Sequence, residues 1–420
     1  LLALTNCLIV SQYFYPENLP INFIAKQIKK SFGFVEVFTG KPNYPQGKFY
    51  EGYGFFSKIH DEVDSINVYR IPIIPRRMKI RSIGLFLNYL SFMIISSFFI
   101  PFLLRHKKYD LIIVYANSPI TKAIPAIVLS KIRKIPVILW VQDLWPESLN
   151  ATGYKLPKFI EKLVFYFVKF IYKNVQCIAC QSRSFIEKIS SDHNIDSSKL
   201  AYLPNTIDDI FYKNNSQNFQ FQNFEQSEGD FNILFSGNMG EAQSLETILN
   251  SALELRRRSI ENIKIILAGN GSKFEFCKDF ISKNNLTNVT LLGQVSLEKM
   301  PSLIQKCSAL LITLKDEEIF NLTIPNKLQS YLASGKPILG SLKGEGAKII
   351  RESNSGVVCD PEDYKNLTIN MINLSNQSKK ELEQFSENGL KYFHQNFKYE
   401  VFENRLKKII DEILENHDNG

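Results

Sequence analysis

The segment Ile324-Pro325-Asn326-Lys327-Leu328-Gln329-Ser330-Tyr331-Leu332-Ala333-Ser334-Gly335-Lys336-Pro337-Ile338 sets a lysine at the start of an expected helix and a Gly-Lys-Pro turn at its end. The first turn of a helix carries unpaired N–H groups and a partial positive charge, which suit a phosphate. Lys327 beside that terminus would hold a diphosphate, so the segment points to a nucleotide diphosphate ligand in the second half of the chain. Taken alone, it reads equally as a surface helix with a glycine stop. Asp143 and Glu147 follow an apolar strand, separated by Leu144-Trp145-Pro146. Asp143 is expected to accept a hydroxyl proton or hold a hydroxyl. Glu147, and Glu17 in the first strand-to-helix loop, read either as ligand contacts or as acids at helix N-termini. The five histidines (60, 106, 193, 394 and 417) have no partners at metal or triad spacing, and no Asp-x-Asp stands in a strand-end context. No metal and no cofactor are expected.

Elements must position these groups. The chain has 420 residues, 45% hydrophobic and 22% charged, with a formal charge of +8. That length favours two domains. The mild, interspersed charge argues against a dedicated nucleic-acid binder and allows anionic substrates or an anionic membrane face. Six scattered cysteines, with Cys177 and Cys180 inside an apolar run, read as buried strand residues in a reducing compartment. Residues 1–11 read as a first strand and not as a signal peptide. Apolar strands are expected at 6–11, 35–39, 111–115, 136–141, 176–181 and 200–203, and again at 232–236, 264–268, 289–292, 309–313, 337–339 and 356–358. Helical patterns lie between them, at 21–30, 118–133, 244–258 and 297–306. The alternation predicts an α/β chain with two doubly wound parallel sheets. A polar stretch, 214–230, reads as the linker between domains 1–213 and 231–385, and 386–420 as a terminal helical region packing back on the first domain. Ligands of such folds bind at the carboxyl ends of the strands, here in a cleft between domains if those ends face each other.

One stretch breaks the pattern. Residues 83–104 carry no charge and many large apolar side chains, enough to span a bilayer. Basic residues flank both sides, Arg76, Arg77, Lys79 and Arg81 before it and Arg105, His106, Lys107 and Lys108 after it. A span would show charge asymmetry and would split the first domain. Docking on a membrane surface is preferred, ahead of burial and of spanning. Residues 158–173 interleave lysines with aromatic residues and support docking; a solvated face over an ordinary core stripe is the alternative.

The chain resembles the family 4 retaining glycosyltransferases, of the two-domain GT-B fold, and within them the bacterial L-fucosamine-transferase branch (WbuB type). The resemblance rests on residues 10–18, 39–48, 50–53, 140–148, 236–240, 268–271 and 325–337, in order along the chain. It implies a metal-independent transferase at the cytoplasmic face of the inner membrane. Such an enzyme would move an N-acetylated amino sugar from UDP to a polyprenyl-diphosphate-linked saccharide, for O-antigen or capsule. Donor contacts would come from Gly237, Asn238, Gly240, Gln243, Gly269, Gly271, Val295, Pro325, Asn326, Lys327, Gln329, Ser330 and Arg183. Acceptor contacts would come from Glu17, Asn18, Asn43, Tyr44, Lys48 and Glu147, with Asp143 and Lys327 as catalytic groups. The family's two glutamates are replaced by Leu322 and Ser330, its arginine and lysine by Asn238 and Gln243, and a histidine by Gln142. Lys327 is then the leading diphosphate partner. A UDP-sugar 2-epimerase of the same fold and a non-catalytic subunit remain as rival readings.

Overall fold

The computed structural model describes residues 5–76, 81–148, 157–212, 219–221, 224 and 227–418. Residues 214–218, 222, 223, 225 and 226 of the expected linker lie outside these, as do Arg77 and Lys79 of the basic flank and the last two residues. The chain forms two compact units, Leu1–Pro204 with Phe402–Gly420, and Asn205–Val401. The first unit thus closes at Pro204, ahead of the expected boundary at 213, and the second extends past 385 to Val401.

The first unit is built on eight strands: β1 (Asn6–Val10), β2 (Phe34–Gly40), β3 (His60–Val63), β4 (Ile66–Ile71), β5 (Leu111–Ala116), β6 (Val137–Val141), β7 (Cys177–Cys180) and β8 (Leu200–Tyr202), in sheet order β3-β4-β2-β1-β5-β6-β7-β8. Central strands such as β5 and β6 are apolar throughout and fully buried, as expected of strands covered on both faces. The sheet is not wholly parallel, which corrects the expectation. His60–Val63 pairs antiparallel with β4 as an edge hairpin. Its sequence, His-Asp-Glu-Val, has no apolar run to mark it.

Helix α1 (Pro20–Phe32) follows β1. Helices α2 (Arg81–Leu103), α3 (Ala123–Arg133) and α4 (Lys158–Lys173) follow β4, β5 and β6, and α5 (Arg183–His193) follows β7. The crossovers from β4 through β7 all advance in one direction across parallel strands. Right-handed connections therefore place α2, α3 and α4 on one face of the sheet, where α2 packs on α3 and α3 on α4. All six cysteines are buried and free, as the apolar runs implied, and burial pushes the Cys177 thiol up to about 12.

The second unit holds six parallel strands: β9 (Phe231–Ser236), β10 (Ile263–Ala268), β11 (Val289–Gly293), β12 (Ala309–Thr313), β13 (Ile338–Ser341) and β14 (Gly356–Cys359), in order β11-β10-β9-β12-β13-β14. Its helices are α6 (Leu245–Arg257), α7 (Phe274–Lys283), α8 (Met300–Gln305), α9 (Glu318–Leu322), α10 (Asn326–Ala333), α11 (Gly344–Ser353), α12 (Tyr364–Ser375) and α13 (Lys379–Asn396). A capping box between Ser378 and Glu381 starts α13. The last helix, α14 (Tyr399–Asp418), runs mainly in the first unit, where Phe402 stacks on Trp140 at 5.2 Å.

Candidate functional site

In the second unit, the ends of β9 and β12 and the start of α10 enclose a pocket of about 260 Å³. It is lined by Asn238, Gln243, Leu314, Phe320, Thr323, Pro325, Asn326 and Lys327. Pro325 caps α10 with fixed φ, and Gly335 ends it in the left-handed conformation, as the spacing predicted. Lys327 is partly buried, with its ammonium 4.0 Å from the centroid of Phe235 and hydrogen-bonded to Gln243 Oε1. Burial pulls its pKa down to about 7. Neighbouring lysines are paired: Lys273 with Glu241 and Glu246, Lys315 with Glu241, Lys343 with Asp316. Among the described residues no carboxylate pairs with Lys327. A cation held in low dielectric against a neutral amide is matched to an incoming anion.

The glycines act behind this pocket. Gly237 N donates to Ala268 O at 2.9 Å and Met239 N to Asn270 O at 2.9 Å. Those two N–H groups are therefore spent on the neighbouring loop. A side chain at Gly269 would meet Gly237 O at 1.8 Å, and one at Gly271 would meet Met239 O at 2.5 Å. Both glycines permit the two loops to interlock, and neither lines the pocket. Gln329 is corrected too: it is buried and donates to Asn205 O at 2.8 Å. Asn326 accepts from Asn205 Nδ2 at 2.8 Å, which ties the helix start to the 205 segment. Ser330 and Val295 are half-buried and outside the pocket lining. Gly240 packs on Asn238. Arg183 belongs to the first unit, where its guanidinium stands 4.6 Å over Tyr202.

In the first unit, a pocket of about 220 Å³ lies beyond the carboxyl ends of the strands and is lined by Tyr13, Leu19, Tyr44, Arg76, Tyr89, Asn117, Ser118 and Asp143. Of the sequence-predicted residues, Asp143 and Tyr44 line it. Asp143 Oδ2 accepts from Ser118 N at 2.6 Å, and Trp145 Nε1 donates to Ser118 Oγ at 3.1 Å. Asn18 and Lys48 are exposed and Glu147 is half-buried, all outside the lining. Glu17 and Asn43 are corrected from contacts to scaffold. Glu17 is fully buried, and its carboxylate accepts from the N–H groups of Phe14, Asn43 and Tyr44 at 3.0, 2.8 and 2.7 Å. Burial raises its pKa to about 7 against the pull of those bonds. Asn43, also fully buried, donates to Lys41 O at 3.0 Å.

Sequence reasoning passed over Tyr13, Arg76, Asn88, Tyr89 and Lys122 as site residues. Asn88, from α2, accepts from Gln12 Nε2 at 2.8 Å and from the Tyr13 hydroxyl at 3.0 Å, and donates to Ile74 O at 2.6 Å. Lys122 is fully buried, bonds Asn117 Oδ1 and lies 5.3 Å from the Tyr13 ring; burial lowers its pKa to about 7. The available signal was a lone lysine opening an apolar helix. A wider depression of about 650 Å³ sits at the opposite ends of the strands, edged by Lys131, Lys134, Lys173 and Lys199, where Lys199 bonds the carbonyls of Lys173 and Val175. Among the described residues no cluster of His, Cys, Asp and Glu could hold a metal ion.

Residues 42–210 match the family model described as Glycosyltransferase Family 4, and residues 216–392 the model described as Glycosyl transferases group 1. A glycosyltransferase of Methanocaldococcus jannaschii, MJ1178, is 24% identical over 252 residues, 59% of this chain and 63% of that protein. WbjE of Pseudomonas aeruginosa, named as a glycosyltransferase, is 26% identical over 54% of this chain and 56% of its own length. The chain thus spans less than two thirds of either relative. WcaI of Escherichia coli K12, named for colanic acid biosynthesis, is 24% identical over 72% of this chain and 73% of its own. A glycosyltransferase structure from Rickettsia africae covers 98% of this chain and 99% of its own at TM-score 0.69 and 12% identity. Anabaena HepE, solved with UDP and glucose, covers 97% and 99% at TM-score 0.66 and 12% identity. These likenesses show the GT-B fold.

Proposed function

Starting from a chain whose two halves carry the domains of the family 4 and group 1 glycosyltransferases, we propose a retaining sugar transferase that acts on a lipid-linked acceptor. It moves an N-acetylated amino sugar, N-acetyl-L-fucosamine in the branch the motifs resemble, from UDP to a polyprenyl-diphosphate-linked saccharide. The product feeds a bacterial surface polysaccharide. The C1–O bond to the diphosphate breaks, a C1–O bond to the acceptor hydroxyl forms, and the hydroxyl proton leaves with the departing diphosphate. The carrying observation is Lys327, a partly buried ammonium with no carboxylate partner at the start of a helix, suited to charge developing on the leaving group. Asp143 in the first unit holds the acceptor hydroxyl. HepE, with UDP in its structure, supports the nucleotide; WcaI, through colanic acid, supports the surface polymer.

The acceptor's lipid tail would place the enzyme at the cytoplasmic face of the inner membrane. The support is α2, the described helix long and apolar enough to cross a bilayer. Among its buried residues, Asn88, Phe92, Ser96 and Ile100 recur every fourth position. Phe86, Phe98 and Phe102 are 62%, 64% and 59% exposed. On α4, Phe159 and Leu163 are 68% and 64% exposed. Outward apolar side chains on two helices of one sheet face, α4 carrying lysines as well, fit an interface better than water.

The deciding experiment incubates the full chain with UDP-, GDP- and dTDP-sugars, with and without a polyprenyl-diphosphate saccharide, in EDTA, and follows products by mass spectrometry. Sugar added to the lipid acceptor is expected. Epimerised donor without acceptor would replace the reading with the isomerase. Intact nucleotide binding with no conversion would favour a non-catalytic subunit.

A further inference from the structure

We propose that Arg76 in its tyrosine cage is the subsite for the acceptor's diphosphate, an inference that rests on the lipid-linked acceptor proposed above. Its guanidinium lies 4.7, 4.8 and 5.6 Å from the ring centroids of Tyr13, Tyr44 and Tyr89. Its Nε donates to the Tyr13 hydroxyl at 3.1 Å. The cage fixes the planar fork and removes much of its water. Arg70 of the same unit shows the structural alternative: it is buried and paired with Asp61 at 2.9 Å. Arg76 has no carboxylate within ion-pair distance among the described residues. Also within 5.3 Å of the Tyr13 ring stands Lys122, a second buried basic group whose side-chain partner, Asn117, is neutral. Asp143 is the one carboxylate in the lining. A desolvated fork with a supporting positive field is built for a phosphate pair.

The second observation is where the cage comes from. Tyr89 and Asn88 belong to α2, the helix whose outer face is apolar from Ile83 and Phe86 onward. One helix thus offers Tyr89 to the pocket, braces Tyr13 through Asn88, and turns an apolar ridge to the outside. A prenyl diphosphate has both matching halves; a nucleotide or inorganic pyrophosphate has only one. In this arrangement Arg76 grips the diphosphate and Asp143 meets the saccharide attached to it.

The test is a titration of the full chain, following tryptophan fluorescence, since Trp145 touches the pocket wall at Ser118. The probes are farnesyl diphosphate, farnesol, inorganic pyrophosphate and UDP. Wild type should bind farnesyl diphosphate at least tenfold more tightly than either farnesol or pyrophosphate. Arg76→Gln should lose the margin over farnesol, Arg76→Lys should keep part of it, and both should bind UDP as wild type does. Equal binding of farnesyl diphosphate and pyrophosphate by wild type would overturn the lipid assignment. So would an unchanged Arg76→Gln, or one that loses UDP instead, which would assign the arginine to the donor. If Arg76→Gln does not fold, the wild-type preferences and Arg76→Lys still decide. The readout needs no sugar transfer, so an inactive enzyme that keeps the preference would count against the proposed reaction and not against this site.

Discussion

Lys327 gives the residue scale its sharpest test. Burial holds its pKa near 7, below the ordinary lysine value of 10.5. A diphosphate binds the protonated form, so UDP affinity should be greatest below about pH 7. It should then weaken by up to about tenfold per pH unit above that, until the pKa of the complex is reached. The free protein runs the other way. Between about 7 and 10.5 the unfolded chain binds the proton that the folded lysine has released, so this group's contribution to stability rises with pH. Calorimetric titration of UDP from pH 6 to 9 separates the two. Lys327→Met should flatten the pH dependence and weaken UDP by about tenfold to a hundredfold, the usual worth of a charge-assisted bond; an unchanged profile would remove the lysine from the diphosphate site. Lys327 was legible because a helix start, a lysine and a glycine stop each leave a mark in sequence. Glu17 was not, because a carboxylate in a loop reads the same whether it faces a ligand or its own backbone. Here it faces three N–H groups. Glu17→Ala strands those donors in a buried place, about 1–3 kcal/mol for each left unsatisfied. The variant should melt earlier in thermal denaturation and lose Asp143-side binding with the loop at Asn43 and Tyr44; an unaltered melting temperature would contradict the scaffold role.

Elements were easier to read than side chains. Twelve apolar runs were expected as strands, and each overlaps an observed one, because a strand buried on both faces is largely apolar. The hairpin of His60–Val63 and Ile66–Ile71 escaped: the first is an edge strand, part-exposed and charged, and the second, though buried, is interrupted by Asn67 and Arg70. Helix α2 is the element whose role the sequence left most open. Length and composition suited burial, spanning and docking alike; the fold turns one stripe inward and leaves the other exposed. Replacing Phe98 and Phe102 together by serine removes two outward rings with little loss of internal packing. Each ring is worth about 1.5–3 kcal/mol when moved from water into hydrocarbon. Sedimentation with anionic phospholipid vesicles should therefore weaken by more than tenfold, while the melting temperature stays close to wild type. Unchanged vesicle binding would mean that the ridge meets something other than lipid. A collapse in thermal stability would mean that the ridge is interior packing.

At the scale of the whole molecule, the chain ends by completing its own beginning. Helix α14 carries Phe402, Leu406, Ile409, Ile410 and Ile413, all buried, at spacings that form a single stripe. The sequence showed that stripe, and the terminal region was expected to pack back on the first domain, but the strands that receive it were not legible, since periodicity names a face and not the surface that receives it. Phe402 stacks on Trp140 of β6, and Trp140 Nε1 donates to Leu203 O at 2.8 Å, so the helix covers strands that precede it by more than half the chain. The first unit is then not a continuous segment, and any fragment ending near 401 leaves its sheet uncovered. Five large apolar side chains at about 1.5–3 kcal/mol each amount to most of the 5–15 kcal/mol by which a domain is ordinarily stable. Truncation after Asn396 should therefore yield a protein that aggregates or is rapidly digested by trypsin within residues 1–204. Phe402→Ala alone should cost about 3–5 kcal/mol in chemical denaturation. Both outcomes should appear even in a fragment that lacks the second unit's ligand, because the loss is of packing and not of binding. A stable, protease-resistant 1–396 chain would show that the strands around Trp140 can be sealed without α14.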